Sequence, residues 1–205
     1  MQVDGPQSRQ IGCIGLRAKT GRAIVVALAG SARTPEALTK SEIVLATAEN
    51  PALFQPYHRV MDLSWDRAVA AVRTTERAIA DIAAAALKEH LARLRAAGIT
   101  ISAVGIVGAP ERDLATIASP HIRAHAAEGV LFRRVLELAA VANGLRSTRF
   151  PERDLETLAA ARLELPALAV KHALTRFGER LGRPWRADEK AAAIAAWLAL
   201  AGSTA

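Results

Sequence analysis

Apolar residues change their period several times along the chain, and each change marks an element. The run IGCIGLRAKTGRAIVVALAG from Ile11 has two apolar arms around a polar Ala18-Lys19-Thr20-Gly21 turn. Thr20 and Gly21 are small enough to relieve the steric cost of reversal. The second arm, Arg22 to Ala29, is nearly continuous in apolar and β-branched residues, which suits a strand covered on both faces. The pattern predicts a hairpin inside a buried sheet. SARTPEALTKSE, with Pro35, reads as a polar turn, and Ile43 to Thr47 as a short third strand nearer the sheet edge. Asn50 to Met61 has two prolines and no period, so a loop is expected there.

A helical period follows. Trp65, Val69, Val72, Ile79, Ile82, Leu87, Leu91 and Leu94 step by three and four, with Arg67, Arg73, Arg77, Lys88 and Arg93 mostly on other faces. Ser64 suits an N-cap and Gly98 a C-terminal stop, bounding a helix about 50 Å long at ~1.5 Å per residue. Ile99 to Val107, ITISAVGIV, is again apolar on both faces and predicts a buried parallel strand ended by Gly108-Ala109-Pro110. A polar segment to Pro120 leads into a second long helix, about His121 to Asn143, closed by Gly144. Leu145 to Phe150 can form a fifth strand. Glu152 to Leu163, Pro166 to Leu181 and Asp188 to Leu200 read as helices. Three strands in a row make an antiparallel meander, and strands returning through helical crossovers lie parallel. The expected class is α/β: a mixed five-stranded sheet flanked by helices, with extra C-terminal helices.

Charge adds a direction. The 205 residues carry a net charge of +7 and a pI near 10.5, a balance that attracts polyanions, nucleic acid above all, or merely keeps a basic surface solvated. With aromatics at 4%, alanine and leucine must fill the core, so close helix–sheet contacts are expected. Cys13 is the single cysteine, which excludes an internal disulfide and a multi-cysteine zinc site and fits a reducing cytoplasm. The polar start lacks a signal-peptide core, and no run approaches the ~20 apolar residues of a membrane span. Residues 1–10 are expected to be a flexible tail and 11–205 a single domain.

Several groups are candidates for chemistry. His121 and His125 lie four apart on one helix face, a spacing used by pairs of metal-binding imidazoles, with Glu128 or Glu111 as a third ligand. The alternative is a solvated or phosphate-facing helix start, where Arg123 suits a phosphate by charge and bidentate geometry. Glu111 and Asp113 follow the fourth strand at the carboxyl edge where open α/β sheets bind ligands, although ordinary loop acids would look the same. Cys13 among apolar neighbours reads as a buried small hydrophobe. His58, between Tyr57 and Arg59, is either a surface residue or a base-stacking one. Lys171, Arg176, Arg180, Arg183 and Arg186 form a basic run that, with Arg17, Lys19 and Arg22, suits a phosphate groove or a solvated face. There is no phosphate-binding glycine loop and no Gly-x-Ser-x-Gly elbow.

The element order resembles that of ribonuclease H-like domains. IGCIGLRAKTGRAIVV is similar to the first hairpin of bacterial Holliday-junction resolvases of the RuvC type, with its Gly-Leu-Arg and Thr-Gly. HAAEGVLFRRVLELAAVANGL resembles that family's helix, whose Ala-x-Gly step packs closely on the sheet. VKHALTRFG resembles the segment carrying a basic residue, here Lys171. The resemblance implies a two-cation nuclease, which needs clustered carboxylates. The family's first-strand Asp falls here on Cys13 or Ile14, its fourth-strand Glu near Gly105, and its last-helix acid finds only Asp188 and Glu189.

The expectation is therefore a nucleic-acid-binding ribonuclease H-like protein without an intact two-metal site and without a cofactor. Arg17, Lys19, Arg22, His121, Arg123, His125 and Lys171 are its expected phosphate contacts. The partner would be DNA, branched DNA included. One alternative is an active nuclease using Mg²⁺ or Mn²⁺ at a site rebuilt from Glu111, Asp113, Asp188 and Glu189, or from the histidine pair. A non-enzymatic oligomerising or ligand-binding module, such as a homodimer, is the other.

Overall fold

The computed structural model describes residues 10–108 and 112–203, so the expected flexible tail lies outside the described residues except for Gln10. The hairpin forms where the apolar pattern places it. β1 (Gln10–Lys19) pairs antiparallel with β2 (Arg22–Gly30), Lys19 opposite Arg22 and Gly15 opposite Val26. Thr20 and Gly21 make the turn, and Gly21 takes φ +70°, a conformation that a residue with Cβ adopts only with strain. β3 (Pro35–Val44) pairs antiparallel with the far side of β2. β4 (Ile99–Gly108) then pairs parallel with β1, and β5 (Arg146–Pro151) parallel with β4. The order across the sheet is β3-β2-β1-β4-β5.

The third strand begins earlier than its apolar residues suggest. PEALTKSE looks like a polar turn because an edge strand has one neighbour and leaves many side chains to water. Pro35 is tolerated as its first residue. Leu45 and Ala46 are past the strand; their amides donate to the Gly21 carbonyl at 2.8 and 2.9 Å and tie the hairpin turn down. In the expected loop, α1 (Pro51–Phe54) forms with proline at its first position, followed by a 3₁₀ turn at His58–Val60.

α2 (Trp65–Ala96) and α3 (Pro120–Ala142) cover one face of the sheet. Ile14, Leu16, Val104 and Ile106 point into this layer, against Val72, Ile79, Leu87, Phe132 and Val135. The buried face of α2 also takes His90, while Ile82 is partly exposed. α4 (Leu155–Leu163), α5 (Ala167–Leu181) and α6 (Ala187–Ser203) cover the other face. α6 is apolar all round and buried from Ala192 to Leu200, as a helix enclosed on every side must be. Alanine brings its backbone close to β1, β2 and β4. Trp197 anchors it: the indole Nε1 donates to the Ala32 carbonyl at 2.8 Å, and the ring meets Phe177 edge-on at 5.8 Å. Among the described residues no helix is long and apolar enough to cross a membrane.

Candidate nucleic-acid interface

β1, β4 and β5 run parallel, so Lys19, Gly108 and Pro151 close one edge of the sheet. β2 starts at that edge, and the segments leading into α2, α3 and α4 gather there. Alternation along β1 then sorts the side chains: Ile14 and Leu16 face α2 and α3, while Cys13, Gly15 and Arg17 face the α6 layer.

At Gly15 and Gly105 the α6 side of the sheet holds no room for a side chain. A Cβ on Gly15 would lie 1.8 Å from the Ala192 carbonyl oxygen and 2.5 Å from the Ala196 nitrogen. On Gly105, opposite Gly15, it would lie 2.2 Å from the Ala195 oxygen. Cys13 is fully buried beside Ala199 and Leu200, its Sγ 3.4 Å from Ser102 Oγ and 3.5 Å from Ser203 Oγ. The thiol thus sits as a small core residue.

At the edge, acid and base meet. Arg17 is buried and its guanidinium donates to Glu152 and to the Ala18 carbonyl, with Nε 3.4 Å from Asp188. Lys19 Nζ is 3.2 Å from the other Asp188 oxygen. A cleft of about 600 Å³ opens here, lined by Glu152, Asp154, Glu156 and Asp188 as well as Arg17 and Lys190. The sequence pattern places a helix start at Glu152, but α4 starts three residues later, after Asp154 in a left-handed conformation (φ +57°). Glu152 follows the end of β5 directly, at the edge where Arg17 lies. Arg22 pairs with Glu42 at 3.2 Å. Glu189 accepts from the Arg186 amide at 2.7 Å and caps α6; Asp113 accepts from the Ala115 amide at 3.0 Å. Glu111 lies outside the described residues. Lys171 is exposed on α5, over β3 and away from this cluster.

On the α2/α3 side of the same edge, three imidazoles converge. His121 and His125 share the first turns of α3, as their spacing requires, and His58 of the 3₁₀ turn joins them. The rings meet edge-on with centroids 4.4–5.1 Å apart. Glu128 points at His58: its carboxylate accepts from Nδ1 at 2.8 Å and from the His58 amide at 3.2 Å. Beside them Tyr57 stacks on Trp65 at 5.6 Å, and the Arg123 guanidinium lies 5.9 Å above the Trp65 ring. Burial, reinforced by the Glu76 charge, raises the Tyr57 pKa and keeps the phenol neutral.

No protein-family model and no curated protein matches the chain. Among solved structures, Thermus thermophilus RuvC aligns over 92% of this chain and 91% of its own, with a TM-score of 0.52 and 11% identity. T. thermophilus RuvC in complex with Holliday junction substrate aligns over 92% of both chains, with a TM-score of 0.49 and 14% identity. The fold is ribonuclease H-like. The likeness covers architecture: three antiparallel strands, two parallel ones, and helices on both faces.

Within this ribonuclease H-like frame, the strand edge gathers Arg17, Lys19, Asp188 and Glu189 on one side of the sheet and His121, Arg123 and His125 on the other. The expected close step at Ala127-Glu128-Gly129 is not built around the glycine, since a Cβ on Gly129 would meet nothing within 4 Å. Two features escaped the sequence reading. His58 had no helical partner spacing to mark it as a third member of the histidine group. Arg112, Arg133, Arg134 and Arg149 line a second surface pocket of about 600 Å³ around Glu137, drawn from α3, β5 and the segment before α3. The Arg133-Arg134 pair was its local signal, but the partners across β5 are visible only once the strand is placed.

Proposed function

We propose that this chain binds nucleic acid on a ribonuclease H-like framework and does so without a two-cation nuclease centre. The observation that carries the proposal is the seat of α6 on Gly15 and Gly105. Hard divalent cations take oxygen ligands, and a two-metal centre must admit a phosphodiester between them. The groups at mid-sheet are a buried thiol, two glycines and helix backbone in contact with them, so the residues there do not fit such a pair. A net charge of +7 supports binding through phosphates. Phosphate contact is expected at the strand edge, through Lys19 and Arg123, and through Arg112, Arg134 and Arg149 around Glu137. The hairpin's likeness to Holliday-junction resolvases makes four-way junctions the first ligand to try. The test is fluorescence anisotropy with junction, duplex and single-stranded DNA over a salt series. Log K should fall linearly with log salt, by about 0.9 per phosphate neutralised on duplex. Failure to bind any of these at low salt would refute the proposal.

A second reading rests on the acids of the Arg17 cleft. Glu152 and Asp188 both approach Arg17, and Asp154 and Glu156 line the same opening. If these acids held Mg²⁺ or Mn²⁺, Arg17 and Lys19 would have to leave Asp188. That reading requires junction cleavage dependent on the added cation and lost in Asp188→Asn. The first reading has no cleavage in either protein.

A further inference from the structure

We propose that His58, His121 and His125 bind one divalent cation of the zinc class at the strand edge, with Glu128 as the residue that positions His58. The ligand-capable atoms of the three histidines all lie within 4.8 Å of one another. Tetrahedral zinc holds each imidazole nitrogen at about 2.0–2.1 Å, which puts the nitrogens roughly 3.3 Å apart. Small side-chain rotations close that difference, since His121 and His125 are exposed and unconstrained by core packing.

The independent observation is the state of His58. Its Nδ1 is taken by Glu128, which makes Nδ1 the protonated nitrogen and leaves a bare lone pair on Nε2. Nε2 is buried and has no hydrogen-bond partner. An unmet buried acceptor is costly, and here it belongs to the ring whose neighbours are His121 and His125. A carboxylate behind a histidine, fixing its tautomer and raising its basicity, is the usual outer shell of an imidazole–metal bond. Glu128 is itself almost fully buried with the His58 ring as its partner, so a cation on that ring would balance its charge. Glu128 therefore stands behind the ligand set. Three neutral imidazoles leave a fourth position open to water or another exogenous oxygen ligand, and they suit zinc, cobalt or nickel better than magnesium. The site lies on the α2/α3 side of the sheet, apart from the mid-sheet glycines. It does not depend on the nucleic-acid proposal.

The test uses the full chain stripped with a chelator and titrated with Zn²⁺ by calorimetry and with Co²⁺ by visible absorption. One cation per chain is expected, with the intense visible bands of tetrahedral Co²⁺ and a rise in Tm on adding Zn²⁺. His121→Ala/His125→Ala, at exposed positions, should keep the fold by circular dichroism and lose binding. Glu128→Gln should keep one cation per chain but weaken it roughly 10–100-fold. His172→Ala, an exposed histidine elsewhere, should bind as the parent does. No binding by the parent chain, or unchanged affinity in the double variant, would overturn the site. Unchanged affinity in Glu128→Gln would overturn the role of Glu128.

Discussion

Gly105→Ala asks whether α6 seals the sheet. The added methyl would stand 2.2 Å from the Ala195 carbonyl oxygen, 2.6 Å from its carbon and 3.0 Å from Phe150 Cε2. Unstrained contacts lie near 3.5 Å, so the helix must withdraw by about 1 Å. The obstacle is backbone, so no side-chain rotation relieves it. Overpacking typically costs about 1–3 kcal/mol, and a rigid neighbour places this case near 3. At about 2–4 °C per kcal/mol for a chain this long, Tm should drop by about 6–12 °C. Gly129→Ala is the control, because its methyl would meet nothing within 4 Å. In a helix interior that exchange should stabilise by roughly 0.5–1 kcal/mol. Urea unfolding of both variants should therefore move the midpoint in opposite directions, at constant m, by roughly 3–4 kcal/mol between them. If Gly105→Ala unfolds at the parent's midpoint, α6 does not rest on Gly105, and the reason given for excluding a two-cation centre fails.

Other consequences are open to measurement. His90 is buried, and desolvation first, then the Arg93 charge, lowers its pKa below the usual 6.5. The unfolded chain then binds the proton more readily, so stability holds above about pH 6.5 and falls as the pH drops below it. His90→Leu should flatten that part of a stability–pH profile, and an unchanged slope would assign it to other groups. Trp197→Phe removes the donor to the Ala32 carbonyl and should cost about 1–2 kcal/mol in chemical denaturation; a neutral result would mean that the bond does not hold α6 in place. Arg17→Met removes the guanidinium from both Glu152 and Asp188 and leaves Asp188 with Lys19. Because both acids are partly exposed, the loss should be about 1 kcal/mol at low salt and shrink as salt is added. A loss insensitive to salt would point to packing of the arginine stem instead.

What local pattern determines on its own is the set of elements and the order in which they occur. The three buried strands, β1, β2 and β4, are legible as apolar runs because a covered strand has no polar face. α2 and α3 are legible because their stripes repeat with the helical period. Order then leaves few topologies, since helical crossovers make strands parallel. β3 is legible only at its apolar end, Ile43 and Val44, because an edge strand with Glu36, Lys40 and Glu42 carries a polar pattern, and its pairing with β2 is a long-range choice. The helix spacing also placed His121 and His125 on one face.

Tertiary structure alone decided the rest. His58 reaches that pair from a turn more than 60 residues earlier, and Glu128, nominally a third ligand, turns to hold His58. Glu152 meets Arg17 because parallel pairing ends β5 at the same sheet edge as β1 and β4. The glycines at 15 and 105 could have been a floor for ligands or a seat for a helix. Nothing within β1 or β4 distinguishes these, because the difference lies in the alanine face of α6, brought onto the sheet from the far end of the chain.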